Sequence, residues 1–224
     1  MTTRYRNRME AGQKLATLLG EYANRQDVLV LALPRGGVPV AYEIAKALHV
    51  PLDVFLVRKL GVPGQEELAM GAIASGGVRV LNEDVVLMMN VSERIINAVT
   101  AKEQQELKRR ENLYRGNLPP VDVHGRTVIL VDDGLATGST MRAAIEALRR
   151  KQPARMIVAV PVATVSVCEE LRKEVDEIVC ITVPEELFYG IAFWYEDFSQ
   201  TTDEEVYHLL AQSEQERPSI TRGP

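Results

Sequence analysis

The sequence predicts an α/β fold with a doubly wound, mostly parallel sheet, and three observations carry that expectation. Short runs rich in Val, Ile and Leu alternate with longer stretches whose apolar residues recur at helical spacing, the pattern of repeated βαβ units. The best of those runs, Val128 to Val131, is apolar at every position, as a strand covered on both faces must be. The chain of 224 residues is 46% hydrophobic and 25% charged, which suits one domain with a sizeable core.

Taken in order, Ala11, Leu15, Leu18, Leu19 and Tyr22 mark an amphipathic first helix. Val28 to Leu33 reads as a buried strand, followed by Pro34-Arg35-Gly36-Gly37 and a helix carrying Val40, Ala41, Ile44 and Leu48. Leu52 to Val57 is the next strand, ending in Arg58-Lys59. Glycine and proline punctuate Gly61 to Gly71, which leads to an apolar stretch and a turn at Ser75-Gly76-Gly77. Val78 to Leu81 and Val85 to Met89 are short strand candidates for a hairpin or flap. Ser92 has the chemistry of an N-cap for a long polar helix reaching Tyr114. After Val128 to Val131, the spacing of Met141, Ala144, Ile145 and Leu148 predicts a helix. Met156 to Val160 and Glu177 to Thr182 are further strands, with a helix near Val165 to Lys173 between them. An aromatic cluster follows, Phe188, Tyr189, Phe193, Trp194, Tyr195 and Phe198, then a helix with Val206, Leu209 and Leu210 on one face. No repeat or long linker divides residues 1–212, and residues 213–224 are expected to be a disordered tail.

Charge and cysteine usage narrow the function classes. Lys and Arg number 26 against 31 Asp and Glu, a net charge of −5, so no nucleic-acid or membrane partner is expected. Cys168 and Cys180 sit in apolar surroundings and read as packing thiols of a reduced protein. His49, His124 and His208 have no ligand spacing. Met1 to Glu10 is polar and basic without an apolar core, which points to a cytoplasmic protein.

The chemistry concentrates in Val128 to Thr140, Val-Ile-Leu-Val-Asp-Asp-Gly-Leu-Ala-Thr-Gly-Ser-Thr. Asp132 and Asp133 follow a strand at its C-terminal end, where open α/β sheets bind ligands. The small residues Gly134 to Ser139 then open a helix, whose free N–H groups and positive dipole end suit a phosphate. Carboxylates accept hydrogen bonds from sugar hydroxyls and can hold Mg²⁺. A sugar phosphate with free hydroxyls needs both halves at this spacing. An ordinary βα junction is the plain rival. A nucleotide-triphosphate loop is excluded, since no G-x-x-x-x-G-K-[ST] and no G-x-G-x-x-G occurs.

Val128 to Thr140 resembles the phosphoribosyl-pyrophosphate motif of the type I phosphoribosyltransferases. That resemblance implies the family's fold, with a small hood and a flexible loop, here from the N-terminal segment and 184–200 and from Gly61 to Gly71. It implies that Asp132 and Asp133 hold the ribose and Mg²⁺ (directly or through substrate), and that Ala136, Thr137, Gly138, Ser139 and Thr140 hold the 5-phosphate. By position it assigns pyrophosphate to Arg35, Gly36 and Gly37, and a cis or strained peptide to the Arg35–Gly36 bond. Arg58-Lys59 resembles the pair that opens the catalytic loop of orotate phosphoribosyltransferases, which makes both catalytic candidates beside Asp132 and Asp133. Gln65, Glu66 and Glu67 stand where those enzymes carry further basic residues.

The implied activity is transfer of phosphoribose from phosphoribosyl pyrophosphate to a nitrogenous acceptor, a nucleobase by preference, in a homodimer. The run Asp-Asp-Gly-Leu-Ala-Thr-Gly is similar to adenine phosphoribosyltransferases, yet the acceptor stays open. Trp194 or Phe188 could stack on a base, with a core role as the favoured alternative. Some proteins of this fold keep the sugar-diphosphate site and act as regulators, as the pyrimidine-operon attenuator does on RNA. A pI near 5.4 weighs against an RNA-binding version, which leaves a non-catalytic sensor or partner-binding protein as the other reading.

Overall fold

The β-branched runs lie side by side: Val28–Ala32 (β1) pairs in parallel with Thr127–Val131 (β6), Val28 opposite Thr127 and Ala32 opposite Val131. Leu52–Val54 (β2) flanks β1, while Arg155–Val162 (β7) and Glu177–Thr182 (β8) continue beyond β6. The parallel sheet therefore reads β2-β1-β6-β7-β8. The helices are Arg8–Leu18 (α1), Gly37–Leu48 (α2), Glu83–Met88 (α3), Glu93–Arg115 (α4), Ser139–Arg149 (α5), Val165–Leu171 (α6) and Asp203–Gln215 (α7). The computed structural model describes residues 4–116, 121–185 and 189–216.

Successive strand residues face opposite layers, which is why every position is apolar. Val28, Val30 and Ala32 pack with Leu15, Ile44 and Leu48, whereas Leu29, Leu31 and Leu130 pack with Met141, Ile145 and Leu171. Each such side chain removed from water contributes about 1.5–3 kcal/mol. The doubly wound α/β fold expected from the sequence is what the chain adopts. Among the described residues no helix is long and apolar enough to cross a membrane. Cys168 is buried in the α5–α6 layer, and Cys180 packs against it; both are free thiols.

Several elements differ from the sequence reading. The first helix stops at Leu18, which is 53% exposed, and Tyr22 is buried by a separate 3-10 turn at Gly20–Tyr22. The expected strand Leu52 to Val57 divides. Phe55 N still donates to Ala32 O at 2.9 Å, but both backbone groups of Leu56 are captured by Ser75: Leu56 N donates to its Oγ and Leu56 O accepts from its N–H. That diverts the chain into a second, antiparallel sheet of Val57–Val62 (β3), Gln65–Ala74 (β4) and Val78–Leu81 (β5). Val85 to Met89 is not a strand. Asn82 Oδ1 accepts from Val85 N at 3.3 Å, and Glu83 and Asp84 favour the first turn of α3. The first residues of the expected tail are helical instead: α7 runs to Gln215, and Glu216 accepts a 2.9 Å bond from the Tyr42 hydroxyl. Residues 217–224 of that tail lie outside the described residues.

The expected flexible loop, Gly61 to Gly71, is a hairpin arm. Lys59 lies opposite Ala72 and Leu60 opposite Gly71, with the turn at Gly64, φ +81°. Ladder amides exchange slowly because breaking one breaks its neighbours. Hydrogen exchange of the ligand-free protein should therefore show protection at Leu60 and Ala72. Fast exchange throughout 57–74 would make the segment a loop after all.

The far end of α4 is fastened to the parallel sheet by a buried ion pair. Arg115 and Asp53 side chains are 7% and 9% exposed, with Nε to Oδ1 at 2.8 Å. Val54 N and Val121 N donate to the same carboxylate at 2.7 and 3.2 Å, and Arg115 also donates to the Val54 carbonyl. Removing one partner strands the other charge in the interior, at a cost of about 3–5 kcal/mol. Arg115→Ala should show that loss in urea unfolding; an unchanged midpoint would contradict it.

Candidate active site

Strand β6 delivers Asp132 and Asp133 past its last ladder residue, Val131. Burial, reinforced by the neighbouring Asp133 charge, holds the Asp132 carboxyl well above the usual carboxylate range. Burial also raises Asp133, opposed by the Arg8 guanidinium beside it. Asp133 N donates to Asp132 Oδ1 at 2.9 Å, and the Tyr195 hydroxyl donates to Asp133 O at 2.6 Å. Two carboxylates are thus raised and packed at the end of a core strand, and groups perturbed in this way cluster at functional sites.

The Pro34-Arg35-Gly36-Gly37 turn after β1 closes directly on this pair. A Cβ on Gly36 would lie 2.0 Å from Asp133 Oδ2, and one on Gly37 would lie 2.7 Å from Val131 O and 2.9 Å from Asp132 Cα. Glycine is thereby required at 37, where the neighbour is backbone, and at 36 it leaves room for the Asp133 carboxylate. The cis peptide in this turn joins Pro34 to Arg35, one bond earlier than the expected Arg35–Gly36. Arg35 Nη1 stands 3.7 Å from Asp203 Oδ1 at the start of α7, where the Tyr114 hydroxyl donates to the same oxygen at 2.6 Å.

The loop after Asp133 is held from below. Leu135 N donates to Val162 O at 2.9 Å, which ties it to the end of β7. Gly138 caps α5 in the left-handed region, φ +69°, and brings no side chain of its own; Ser139 N donates to Thr137 Oγ1 at 3.4 Å, so the N–H groups after it are the ones offered to a ligand. Thr137 Oγ1 and Ser139 Oγ are 3.0 Å apart, and Ala136, Thr137, Ser139 and Thr140 are exposed. Arg142 reaches back to donate to Thr137 O at 3.0 Å, its charge paired with Glu170 of α6. A cleft of about 580 Å³ opens here, with Thr164, Ser166 and Glu185 on its far wall.

Two expected site residues are placed otherwise. Arg58 and Lys59 are not at the C-terminal end of a core strand but within β3. Arg58 Nη2 is 2.6 Å from Glu103 Oε2 of α4, and Lys59 Nζ is 3.2 Å from Glu67 Oε2 across the hairpin. The Leu56 diversion carried both cations into the second sheet. Among the described residues no group of three or more His, Cys, Asp or Glu could hold a metal.

The N-terminal and aromatic segments, the expected hood pieces, are joined to each other. Tyr5 N donates to Trp194 O at 2.9 Å and Glu196 N to Tyr5 O at 2.8 Å. Trp194 is 9% exposed and packs with Tyr5, Ala11 and Val162, so it fills a core. Phe188 lies outside the described residues. Sequence reasoning missed Arg8, Tyr195, Asp203 and Arg142. Arg8 did carry a signal, because a cation in the first turn of a helix opposes the dipole and needs an anion brought to it.

Residues 2–191 match the family model described as the phosphoribosyl transferase domain. A Mycobacterium tuberculosis protein named provisionally as a phosphoribosyl transferase is 43% identical over 204 residues, 91% of this chain and 46% of that protein. The chain thus spans about half the length of those curated relatives. A bifunctional PyrR protein of Chloroflexus aurantiacus is 33% identical over 129 residues, 56% of this chain and 65% of its own. The crystal structure of a Thermus thermophilus protein is similar throughout, with a TM-score of 0.82 and 39% identity over 94% of this chain and 99% of that one.

Proposed function

The chain belongs to the phosphoribosyl transferase domain family, and from that premise we propose that it transfers phosphoribose from phosphoribosyl pyrophosphate to a nitrogenous acceptor, a nucleobase by preference, releasing pyrophosphate. One observation supports this most. Gly36 and Gly37 abut Asp133 and Asp132, so an anion cradle meets a pair of hydroxyl acceptors, and the Thr137–Thr140 loop follows those acceptors directly in the chain.

In this reading Thr137, Gly138, Ser139 and Thr140 anchor the 5-phosphate, with Ala136 leaving room beside it, and supply remote binding energy that positions the anomeric carbon. Asp132 and Asp133 take the ribose hydroxyls and stabilise positive charge as the ring acquires oxocarbenium character. Arg35 and the amides of Gly36 and Gly37 meet the charge growing on pyrophosphate. The acceptor nitrogen forms the new bond to the anomeric carbon as the bond to pyrophosphate breaks, so no side-chain nucleophile is needed. Mg²⁺ is usually held by one or two carboxylates together with substrate phosphates. Asp132 and Asp133 fit that donor set, each keeping an oxygen that no backbone N–H or cationic side chain engages among the described residues. When bound, the ion would offset charge on the pyrophosphate.

A second reading, ligand binding without turnover, is favoured by Arg58 and Lys59, both engaged by carboxylates in the hairpin. Pyrophosphate release separates the two. The protein is mixed with Mg²⁺, phosphoribosyl pyrophosphate and a panel of nucleobases and small amines. Release with one acceptor establishes transfer and names it; tight binding without release from any acceptor establishes a sensor.

A further inference from the structure

Arg8 lies at the start of α1 yet reaches the carboxylate pair at the end of β6. Its Nε donates to Asp133 Oδ2 at 2.7 Å, the two side chains being 11% and 15% exposed. Nη1 donates to Ser199 O at 2.7 Å, and the guanidinium lies 3.9 Å over the centre of the Phe198 ring. Three groups therefore fix its position: a carboxylate, a carbonyl and an aromatic face. From the other side Gly36 closes on the same Oδ2, since a Cβ there would come within 2.0 Å of it. Oδ2 of Asp133 is consequently enclosed.

Asp132 is held in a matching way, with Oδ1 accepting from Asp133 N at 2.9 Å. One oxygen remains on each residue, Asp132 Oδ2 and Asp133 Oδ1; among the described residues no backbone N–H and no cationic side chain reaches either, and the two carboxyls lie within hydrogen-bond reach of each other. Two neighbouring acceptors with no outside donor are what two adjacent hydroxyls require, each donating one hydrogen bond. Arg8 fixes the plane of the Asp133 carboxylate. Without it, the terminal torsion, which is soft for aspartate, lets the outward oxygen swing away from the diol position.

We propose that Arg8 is a positioning residue: by locking Asp133 it makes the two carboxylates read a vicinal diol, and so confers selectivity for a ribose phosphate over a 2-deoxyribose phosphate. The inference rests on the proposed sugar-diphosphate site. It assigns the N-terminal helix a part in ligand choice, through a contact 125 residues away in sequence.

Calorimetry with ribose 5-phosphate, 2-deoxyribose 5-phosphate and inorganic phosphate tests it. Wild type should prefer ribose 5-phosphate to the deoxy sugar by about tenfold to a hundredfold, the value of one hydrogen bond to a charged acceptor. Arg8→Met should bring that ratio close to one while leaving inorganic phosphate affinity unchanged, and Arg8→Lys should restore part of it. A role confined to holding the fold together would change all three affinities alike. Should Arg8→Met fail to fold, Phe198→Leu removes the ring beneath the guanidinium and must also lower the ratio. A wild-type ratio kept in Arg8→Met, or in Phe198→Leu where that variant is needed, overturns the role of Arg8 alone. No preference in wild type overturns it together with the sugar-site reading.

Discussion

Replacing both carboxylates, Asp132→Asn with Asp133→Asn, is expected to weaken phosphoribosyl pyrophosphate binding by about 10²–10⁴-fold, from two lost charge-assisted hydrogen bonds at about 1.5–3 kcal/mol each. Asparagine keeps the shape, and its oxygen can still accept from Asp133 N or Arg8 in place of the carboxylate bonds seen here. The fold should therefore survive, and calorimetry reads the loss directly; wild-type affinity in the double variant would refute the site. Stability supplies an independent readout. Burial and Asp133 raise the Asp132 carboxyl well above its usual range. An acid whose folded pKa exceeds its unfolded value contributes stability below the unfolded pKa, and loses it as pH rises through the folded one. Asp132→Asn alone should accordingly melt at a higher temperature than wild type at neutral pH, with the difference fading toward acid. A variant that is both weaker in binding and harder to melt has lost a group kept for its ligand.

The second large effect is expected from Gly37→Ala. The added Cβ would meet Val131 O at 2.7 Å and Asp132 Cα at 2.9 Å. Both belong to the backbone of the β6 end, which cannot rotate aside as a side chain can. The turn must lift away from the carboxylates, and a misplacement of about 1 Å in a positioning element can cost about 10²-fold. Overpacking itself should destabilise by about 1–3 kcal/mol. Gly20→Ala is the control, since a Cβ there meets nothing within 4 Å. Pyrophosphate binding by Gly37→Ala within a fewfold of wild type would show that this turn is not the anion cradle.

The sheet was legible because its physics is local. Val128 to Val131 is uniformly apolar, and a strand covered by two helical layers has no alternative. Met141, Ala144, Ile145 and Leu148 repeat at helical spacing, and all four are buried in α5. Val85 to Met89 was ambiguous because a short apolar run fits either element, and the deciding Asn82 cap precedes the run. The strand break at Phe55 was hidden since Ser75, which captures Leu56, is nineteen residues on. The same distance effect separates what could be read of the site from what could not. Asp132, Asp133 and the Thr137–Thr140 loop are contiguous, whereas Arg8 and Tyr195 reach Asp133 across 125 and 62 residues.

Apart from Arg8, which stays on Asp133, the cations around the candidate site have partners that a ligand can replace: Arg35 stands by Asp203, and Arg142 is paired with Glu170. Ligand affinity is then a difference between two sets of attachments. An anion that displaces one carboxylate exchanges like for like and gains little. A molecule with phosphate at one end, a diol in the middle and diphosphate at the other makes its later exchanges within one encounter, at high effective concentration. In the proposed site, discrimination against the abundant small anions of a cell would therefore come from avidity within a single ligand: the number of attachments made together, not the strength of any one.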